Sequence, residues 1–440
     1  MNSIKLKKVG PIRELEMEID NGINIVIGEQ ASGKSTLGKE IYFCKKIRDY
    51  FVEYLCSPDY FIYDSLSEQY LSFLKYLRTN YMESFGTTKH LPRGYSIKYN
   101  YSSNAFVDIS LDEQNYAKFK LSRNLEAGIK DAFSAVMKIY NTRSSNEADV
   151  YESFLKKQLL REELSNHFRI VANDLFCEDG NVVYIPAGRS LLSVLSEQLD
   201  VVDVKGLDLP MRDFVQKIRN LKSRFGKKSN DVVADYVKMQ KGQIKNQDVD
   251  MAIELMHQIL RGEYISDSDG EKVFIDQKHW VKLLFSSSGQ QEALWILNIL
   301  FLSILEGRKT YFIIEEPEAH LFPIAQKAIM ELIALVHNSN GSQMLITTHS
   351  PYVLTATNLL VYSGNVEGDS SGESVIERKM RLKRGVLKAY RFRTSKENSI
   401  RLITESETGL IDSSQIDEVS ELINLDTDRL IKLEMSNDLQ

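Results

Sequence analysis

The chain has 440 residues, 43% hydrophobic and 26% charged, with 8 Pro and 23 Gly. That composition excludes wholesale disorder and collagen-like or Pro-rich designs. A formal charge of −6 argues against a protein that coats nucleic acid, and three scattered cysteines without a CxxC exclude a disulfide framework or zinc knuckle. A reducing, cytoplasmic compartment is expected. At about 150 residues per domain the length suits roughly three domains, or one large domain with insertions. The opening MNSIKLKKVGPI lacks a signal-peptide core, and the longest apolar run, 293–305, is too short to span a membrane. A buried core helix is expected there.

Alternating apolar positions at Ile4 and Leu6, then at Ile12, Leu15, Met17 and Ile19, predict two half-buried strands. The run 23–27 is apolar except for Asn24 and lies between Gly22 and Gly28, as in a strand buried on both faces. A helix is expected from Thr36. Residues 40–90 are rich in Tyr, Phe and Leu, which suits an insertion's core or a partner surface. A hairpin region near 95–121 and a charged helix over 145–176 follow. A second buried strand at 182–185 ends at Pro186. Helical sequence runs over 191–261 and is strongly basic over 217–245. Late strands at 310–314 and 343–347 flank a helix at 324–337, a strand–helix–strand unit that implies a parallel sheet.

The expected fold class is therefore α/β, one core with a mostly parallel sheet and two largely helical insertions; the phosphate loop at 28–36 makes that core a P-loop NTPase head. The head takes 1–40, 181–190 and 266–365. A first insertion of helices plus a β-hairpin takes 41–180, a helical insertion 191–265, and a strand and helical tail 366–440.

GEQASGKST at 28–36 satisfies GxxxxGK[ST] between a buried strand and a helix. Gly28 and Gly33 permit backbone conformations that let successive N–H groups, those of Glu29, Ala31 and Ser32 among them, curl round phosphate oxygens. Lys34 supplies a charge to the β/γ-phosphates and Ser35 a hydroxyl to Mg²⁺, while the helix start at Thr36 adds its dipole. The predicted cofactors are ATP and Mg²⁺.

YFIIEEP at 311–317 is an apolar strand ending in two carboxylates. Glu315 is the candidate Mg²⁺ ligand, direct or through water, and Glu316 the group that polarises the attacking water. TTHSP at 347–351 sets His349 just past the next strand, where it can donate to the γ-phosphate. FSSSGQQE at 285–292 opens the long apolar helix. Ser287, Ser288, Gly289 and Gln290 there suit either an anion site or a plain helix cap.

The order of these motifs, phosphate loop, SSSGQQE, IIEEPEAHLFP and TTHSPYVL, resembles the ATP-binding-cassette heads of the SMC and RecF type. It is most similar to ATPases of the overcoming-lysogenization-defect (OLD) style. The resemblance covers about 1–40 and 180–360. It implies two heads facing each other as a homodimer or higher oligomer, with Ser287, Ser288 and Gly289 capping the γ-phosphate held by the other protomer and Gln290, Gln291 and Glu292 opening the signature helix. Glu318 to Pro323 (EAHLFP) takes the D-loop position near that interface. Glu315 stands where the family usually has Asp, and no glutamine follows the 182–185 strand, where YIPAGRS takes the Q-loop's place. Arg189 in that segment suits a phosphate-sensing or interface role or a structural salt bridge.

OLD proteins often carry a nuclease of the TOPRIM type, but only about 90 residues follow His349, and Glu367-Gly368-Asp369 lacks a preceding apolar strand. No nuclease is expected in cis. The tail is similar to those of nuclease-free ATPases in anti-phage systems such as PARIS and Septu. The resemblance thus implies a slow ATPase that senses infection and controls a separate effector, a nuclease, with a phage trigger protein as a further partner and no membrane. The alternative is a RecF/SMC-like repair or recombination ATPase that binds DNA through the basic stretch.

Overall fold

The computed structural model describes residues 2–19, 22–57, 61, 65–143, 150–195, 206–226, 228–240, 246–366, 375–393, 399–412 and 424–430. β1 (Asn2–Val9) and β2 (Ile12–Ile19) form an antiparallel hairpin that buries Ile4, Leu6, Ile12, Leu15, Met17 and Ile19, as the alternation predicts. β3 (Ile23–Gly28) leads through a loop into α1 (Lys34–Leu55), and α2 (Leu66–Phe85) follows. β4 (Ser96–Asn100), β5 (Phe106–Leu111) and β6 (Ala117–Leu121) do not stand apart from the head. β4 pairs with β1, giving one five-stranded antiparallel sheet of order β2-β1-β4-β5-β6. The expected boundary at residue 40 falls inside α1. α3 (Arg123–Arg143) and α4 (Val150–Phe176) complete this half.

The aromatic stretch is core and not a surface. Phe43, Phe51, Tyr54, Phe73 and Tyr81 are buried and meet largely edge to face between α1 and α2. Glu40 is enclosed among them and accepts from the Tyr81 hydroxyl at 3.3 Å. Burial pushes its carboxyl up from 4.5 to about 8, partly opposed by that hydrogen bond and by Tyr95. The folded chain holds this proton where the unfolded chain has lost it. Its contribution to stability is therefore full below pH 4.5 and is lost as pH rises towards 8, by up to about 5 kcal/mol. Glu40→Gln should remove that part of the decline. Urea unfolding of both proteins at pH 6 and 9 checks it, and an identical pH dependence would contradict it.

β7 (Asn181–Ile185), α5 (Arg189–Val194), α6 (Leu209–Lys222), α7 (Ser229–Gln240) and α8 (Asn246–Leu260) precede a small antiparallel sheet that periodicity did not predict. It consists of β8 (Glu263–Asp267), β9 (Gly270–Phe274) and β10 (Trp280–Lys282). α9 (Ser288–Glu306) is the expected core helix, with every residue from Gln291 to Leu305 buried. β11 (Thr310–Glu315), α10 (Pro323–Asn340) and β12 (Gln343–Thr348) form the predicted strand–helix–strand unit, and α11 (Pro351–Val366) follows. From the tail come β13 (Leu387–Arg393) and β14 (Ser399–Leu402).

The core sheet has the order β14-β13-β3-β12-β11-β7. It is parallel from β13 to β7, with β14 antiparallel at one edge. Alternate side chains serve opposite layers. Ile25, Phe312, Ile314, Met344 and Ile346 pack with α8, α9 and α10, while Val26, Tyr311, Ile313 and Leu345 pack with α1 and the antiparallel sheet. The architecture is the expected α/β head. The tail is part of it, since β13 pairs directly with β3. Ile416, Val419, Leu422 and Ile423 of the predicted tail helices lie outside the described residues, as do Glu367, Gly368 and Asp369. No described helix is long and apolar enough to cross a membrane.

Candidate functional site

Parallel pairing brings the strand ends to one edge. Gly28 is level with Phe392, Ile27 with Thr348, and Thr347 with Glu315. In open α/β sheets this carboxyl edge is where ligands bind. The loop from Gly28 to Thr36 is clamped on two sides. A Cβ at Gly28 would lie 2.7 Å from the Phe392 Cβ, and one at Gly33 (φ +108) would lie 2.6 Å from the Ile12 Cγ1. Only glycine fits either place. Thr36 packs under the turn at Gly10, whereas Glu29, Ala31 and Ser35 are exposed at the loop's rim.

Lys34 is buried, and its Nζ folds back over the loop to donate to the carbonyls of Gly28 and Glu29, at 2.8 Å each. Burial pulls its pKa down, against the raising fields of Glu316, Glu318 and Glu315. The buried Ser32 Oγ has no hydrogen-bond partner. The loop thus presents a desolvated cation and an unused hydroxyl, two features that suit an incoming anion.

Glu315 is buried at the end of β11, where its Oε2 accepts from the Ala187 N–H at 3.1 Å. Its Oε1 is buried without a partner. The turn after β7 therefore reaches the site through a backbone N–H where the family would offer a glutamine. Among the described residues no cluster of three or more metal-ligating side chains exists. One unpartnered carboxylate oxygen and one exposed serine hydroxyl are nevertheless a donor set that fits Mg²⁺, which takes one or two protein ligands when phosphates and waters fill the rest.

Glu316 has φ +44, a left-handed conformation that is strained for a side-chain-bearing residue. It is held by its own N–H to the Thr347 carbonyl at 2.8 Å and by Arg189 Nη2 to its carbonyl at 2.9 Å. The carboxylate stays half exposed, with Oε1 3.4 Å from His349 Nε2. His349 is in turn fixed by Glu318, to which the sequence assigns only a loop position. Glu318 Oε1 accepts from the His349 N–H at 2.8 Å and from the Thr348 hydroxyl at 2.6 Å. Its signal was an acid three residues beyond the strand end.

Ser287 caps α9. Its Oγ accepts from the Gln290 N–H, and the Gln290 side chain reaches back to the Ser287 N–H at 3.0 Å. The Gln290 amide also donates to the Leu260 carbonyl at 2.7 Å. Gln290 is thus engaged at both ends as a capping box, the S-x-x-Q pattern the sequence carries. Ser288 is exposed, and a Cβ at Gly289 would lie 2.8 Å from the His320 carbonyl oxygen, so the signature packs on the EAHLFP segment. Among the described residues no hydrogen bond or ion pair joins Ser287, Ser288, Gly289 or Gln290 to the phosphate loop of the same chain.

Arg189 makes a buried salt bridge and is sealed from solvent, its Nε lying 3.3 Å from Glu292 Oε2. Glu292 was legible as a charge at the head of an otherwise apolar helix, which must find a partner when buried. In the basic stretch, Lys222 pairs with Glu271 at 3.2 Å and Arg224 with Glu306 at 2.7 Å, while Lys217 is half-buried with burial lowering its pKa. Lys227 and the end of the stretch, 241–245, lie outside the described residues.

Solved structures to which the chain is similar include an SMC head bound to the C-terminal winged-helix domain of ScpA, at 11% identity and TM-score 0.43, covering 94% of this chain and 98% of that one. The SMC head domain from Thermotoga maritima matches at 10% identity and TM-score 0.38, covering 91% and 98%. An Smc head with an extended coiled coil, bound to the C-terminal domain of ScpA from Pyrococcus furiosus, matches at 11% and 0.39, covering 96% and 100%. No curated protein matches the sequence. The profile of the AAA ATPase domain matches residues 1–354, and the chain belongs to that family.

Proposed function

We propose that the chain is an ABC-type ATPase head that binds ATP with Mg²⁺, hydrolyses it slowly at composite sites of a homodimer, and acts as sensor and scaffold for a separate effector. The observation that carries the ATPase reading is the edge where buried Lys34, the unpartnered Glu315 Oε1 and the Glu316–His349 pair meet. Lys34 Nζ exchanges the Gly28 and Glu29 carbonyls for phosphate oxygens. Ser35 and Glu315 are the residues that would hold Mg²⁺, which would supply positive charge to the bound phosphates. Glu316 accepts a proton from water as the water attacks the γ-phosphorus in line and the bond to the bridging oxygen breaks. The Glu316–His349 contact at 3.4 Å is long for a hydrogen bond, leaving the imidazole able to turn towards the γ-phosphate.

The second half of each site comes from the partner's Ser288 and Gly289. Its support is the exposed Ser288 together with exposed Phe285 and Phe322 beside it, apolar surface of the kind interfaces cover. Ser288→Arg should block the closed dimer and lower turnover about 10²-fold, with ATP binding by the single head retained. Turnover equal to wild type would remove the composite site.

Anti-phage defence, with a nuclease effector, is supported by the motif order and by a tail whose described strands belong to the ATPase's own sheet. Co-purification with the products of neighbouring genes tests it. A second protein that joins or leaves with ATP supports it, and a lone dimer that shifts DNA overturns it. The DNA-repair alternative draws less support, because Lys222 and Arg224 of the basic stretch are ion-paired within the chain.

A further inference from the structure

Arg189 and Glu292 join two parts of the site that the dimer uses for different nucleotides. Glu292 stands one turn beyond the signature residue Ser288. Its Oε2 accepts from the backbone N–H of Arg189 at 3.1 Å and its Oε1 from that of Ser190 at 3.0 Å. The Arg189 Nε donates to the Glu292 carbonyl at 3.0 Å. The far side of the same guanidinium grips the ends of the strands. Nη1 donates to the carbonyls of Pro186 and Glu315, the latter at 2.7 Å, and Nη2 to that of Glu316 at 2.9 Å. Both residues are sealed from solvent, at 0% and 2% exposed.

We propose that this pair is a relay: the signature of one protomer, seated on its partner's nucleotide, sets the position of Glu316 in its own active site. The inference rests on the face-to-face dimer proposed above. A planar fork bonded on both sides transmits displacement, because neither side can shift without breaking a desolvated hydrogen bond. A second tie lies beside it, with Ser193 Oγ donating to the Gln291 carbonyl at 2.7 Å and accepting from Trp295 Nε1 at 2.9 Å. The start of α9 is therefore fastened to the turn after β7, and through Arg189 to the Glu316 backbone.

The receiving end is suited to respond. At φ +44 Glu316 keeps its conformation only while its surroundings impose it, and Arg189 is one of three such backbone restraints, beside the Thr347 carbonyl and the Ala319 N–H, and the one that reaches to α9. Stability gives no better account of the pair, since a buried ion pair contributes little over apolar residues of the same volume. Arg189 and Glu292 touch no reacting atom, so they are positioning residues. Their effect is to make hydrolysis at one site depend on occupancy of the other.

The test is steady-state hydrolysis against ATP concentration for wild type, Arg189→Lys and Glu292→Gln, alongside titration with a fluorescent ATP analogue. Wild type should be cooperative, with a Hill coefficient approaching 2, about the number of sites. Both variants should bind the analogue within about twofold of wild type while kcat falls about tenfold or more and the Hill coefficient drops towards 1. A merely structural pair would change melting temperature and analogue affinity together and leave cooperativity alone. Should either substitution unfold the chain, Ser193→Ala loosens the same junction and carries the same expectation of lost cooperativity. A dimeric wild type without cooperativity, or cooperativity that survives the substitutions, overturns the relay and leaves the dimer standing. A chain that stays single with ATP overturns both.

Discussion

Lys34→Ala should abolish ATP binding. The amine is buried with its charge opposed only by fixed carboxylates, and its present partners are two backbone carbonyls of its own loop. Phosphate oxygens are far better partners for that charge than neutral carbonyls, so most of its interaction energy is realised on binding. Removing two charge-assisted hydrogen bonds from a desolvated site costs about 4 kcal/mol, or roughly three orders of magnitude in Kd. The loop itself should survive, because Gly28 and Gly33 are held by Phe392 and Ile12 and not by the amine. Thermal melting separates the two effects. ATP at about 100 times Kd should stabilise wild type by about 2.7 kcal/mol and leave the variant unmoved. An equal shift in both would contradict the assignment.

Glu316→Gln should behave in the opposite way, binding ATP normally while hardly turning it over. Glutamine keeps the volume, the left-handed backbone and the hydrogen bonds of the Glu316 main chain with Thr347 and Arg189, but it cannot take a proton. A general base contributes about 10² to 10⁴ to the rate, so kcat should fall by about 10³, some 4 kcal/mol of barrier. Single-turnover hydrolysis with pre-bound ATP reads this step without product release. Turnover within about threefold of wild type would move the role to another residue. If signalling to the proposed effector persists in this variant, ATP binding and not hydrolysis is the output.

The parts legible in the sequence were those encoded locally. A buried strand, a GxxxxGK[ST] loop and a helix in succession dictate one another, and the two carboxylates after 310–314 stand where the strand leaves the sheet. The buried helix 293–305 was likewise legible from an apolar run interrupted only by Asn298 and Ser303. What was not legible depends on pairing at long range. β13 lies beside β3 although more than 350 residues separate them, and nothing in either strand names the other. The same holds for β4 joining β1. The strands β8 to β10 are short and carry too few alternating apolar positions to stand out. Arg189 was ambiguous because an arginine in a turn has the same local sequence whether it meets a phosphate or four carbonyls. Ser287 and Gln290 were ambiguous for the same reason, since a capping box and an anion site call for the same residues at the same spacing.

The central claim is that ATP closes two of these chains on each other. Light scattering on the Glu316→Gln protein, which should hold ATP without consuming it, tests this most directly. With ATP and Mg²⁺ the measured mass should at least double, and it should return to its starting value when the nucleotide is removed. A mass indifferent to ATP would contradict the account.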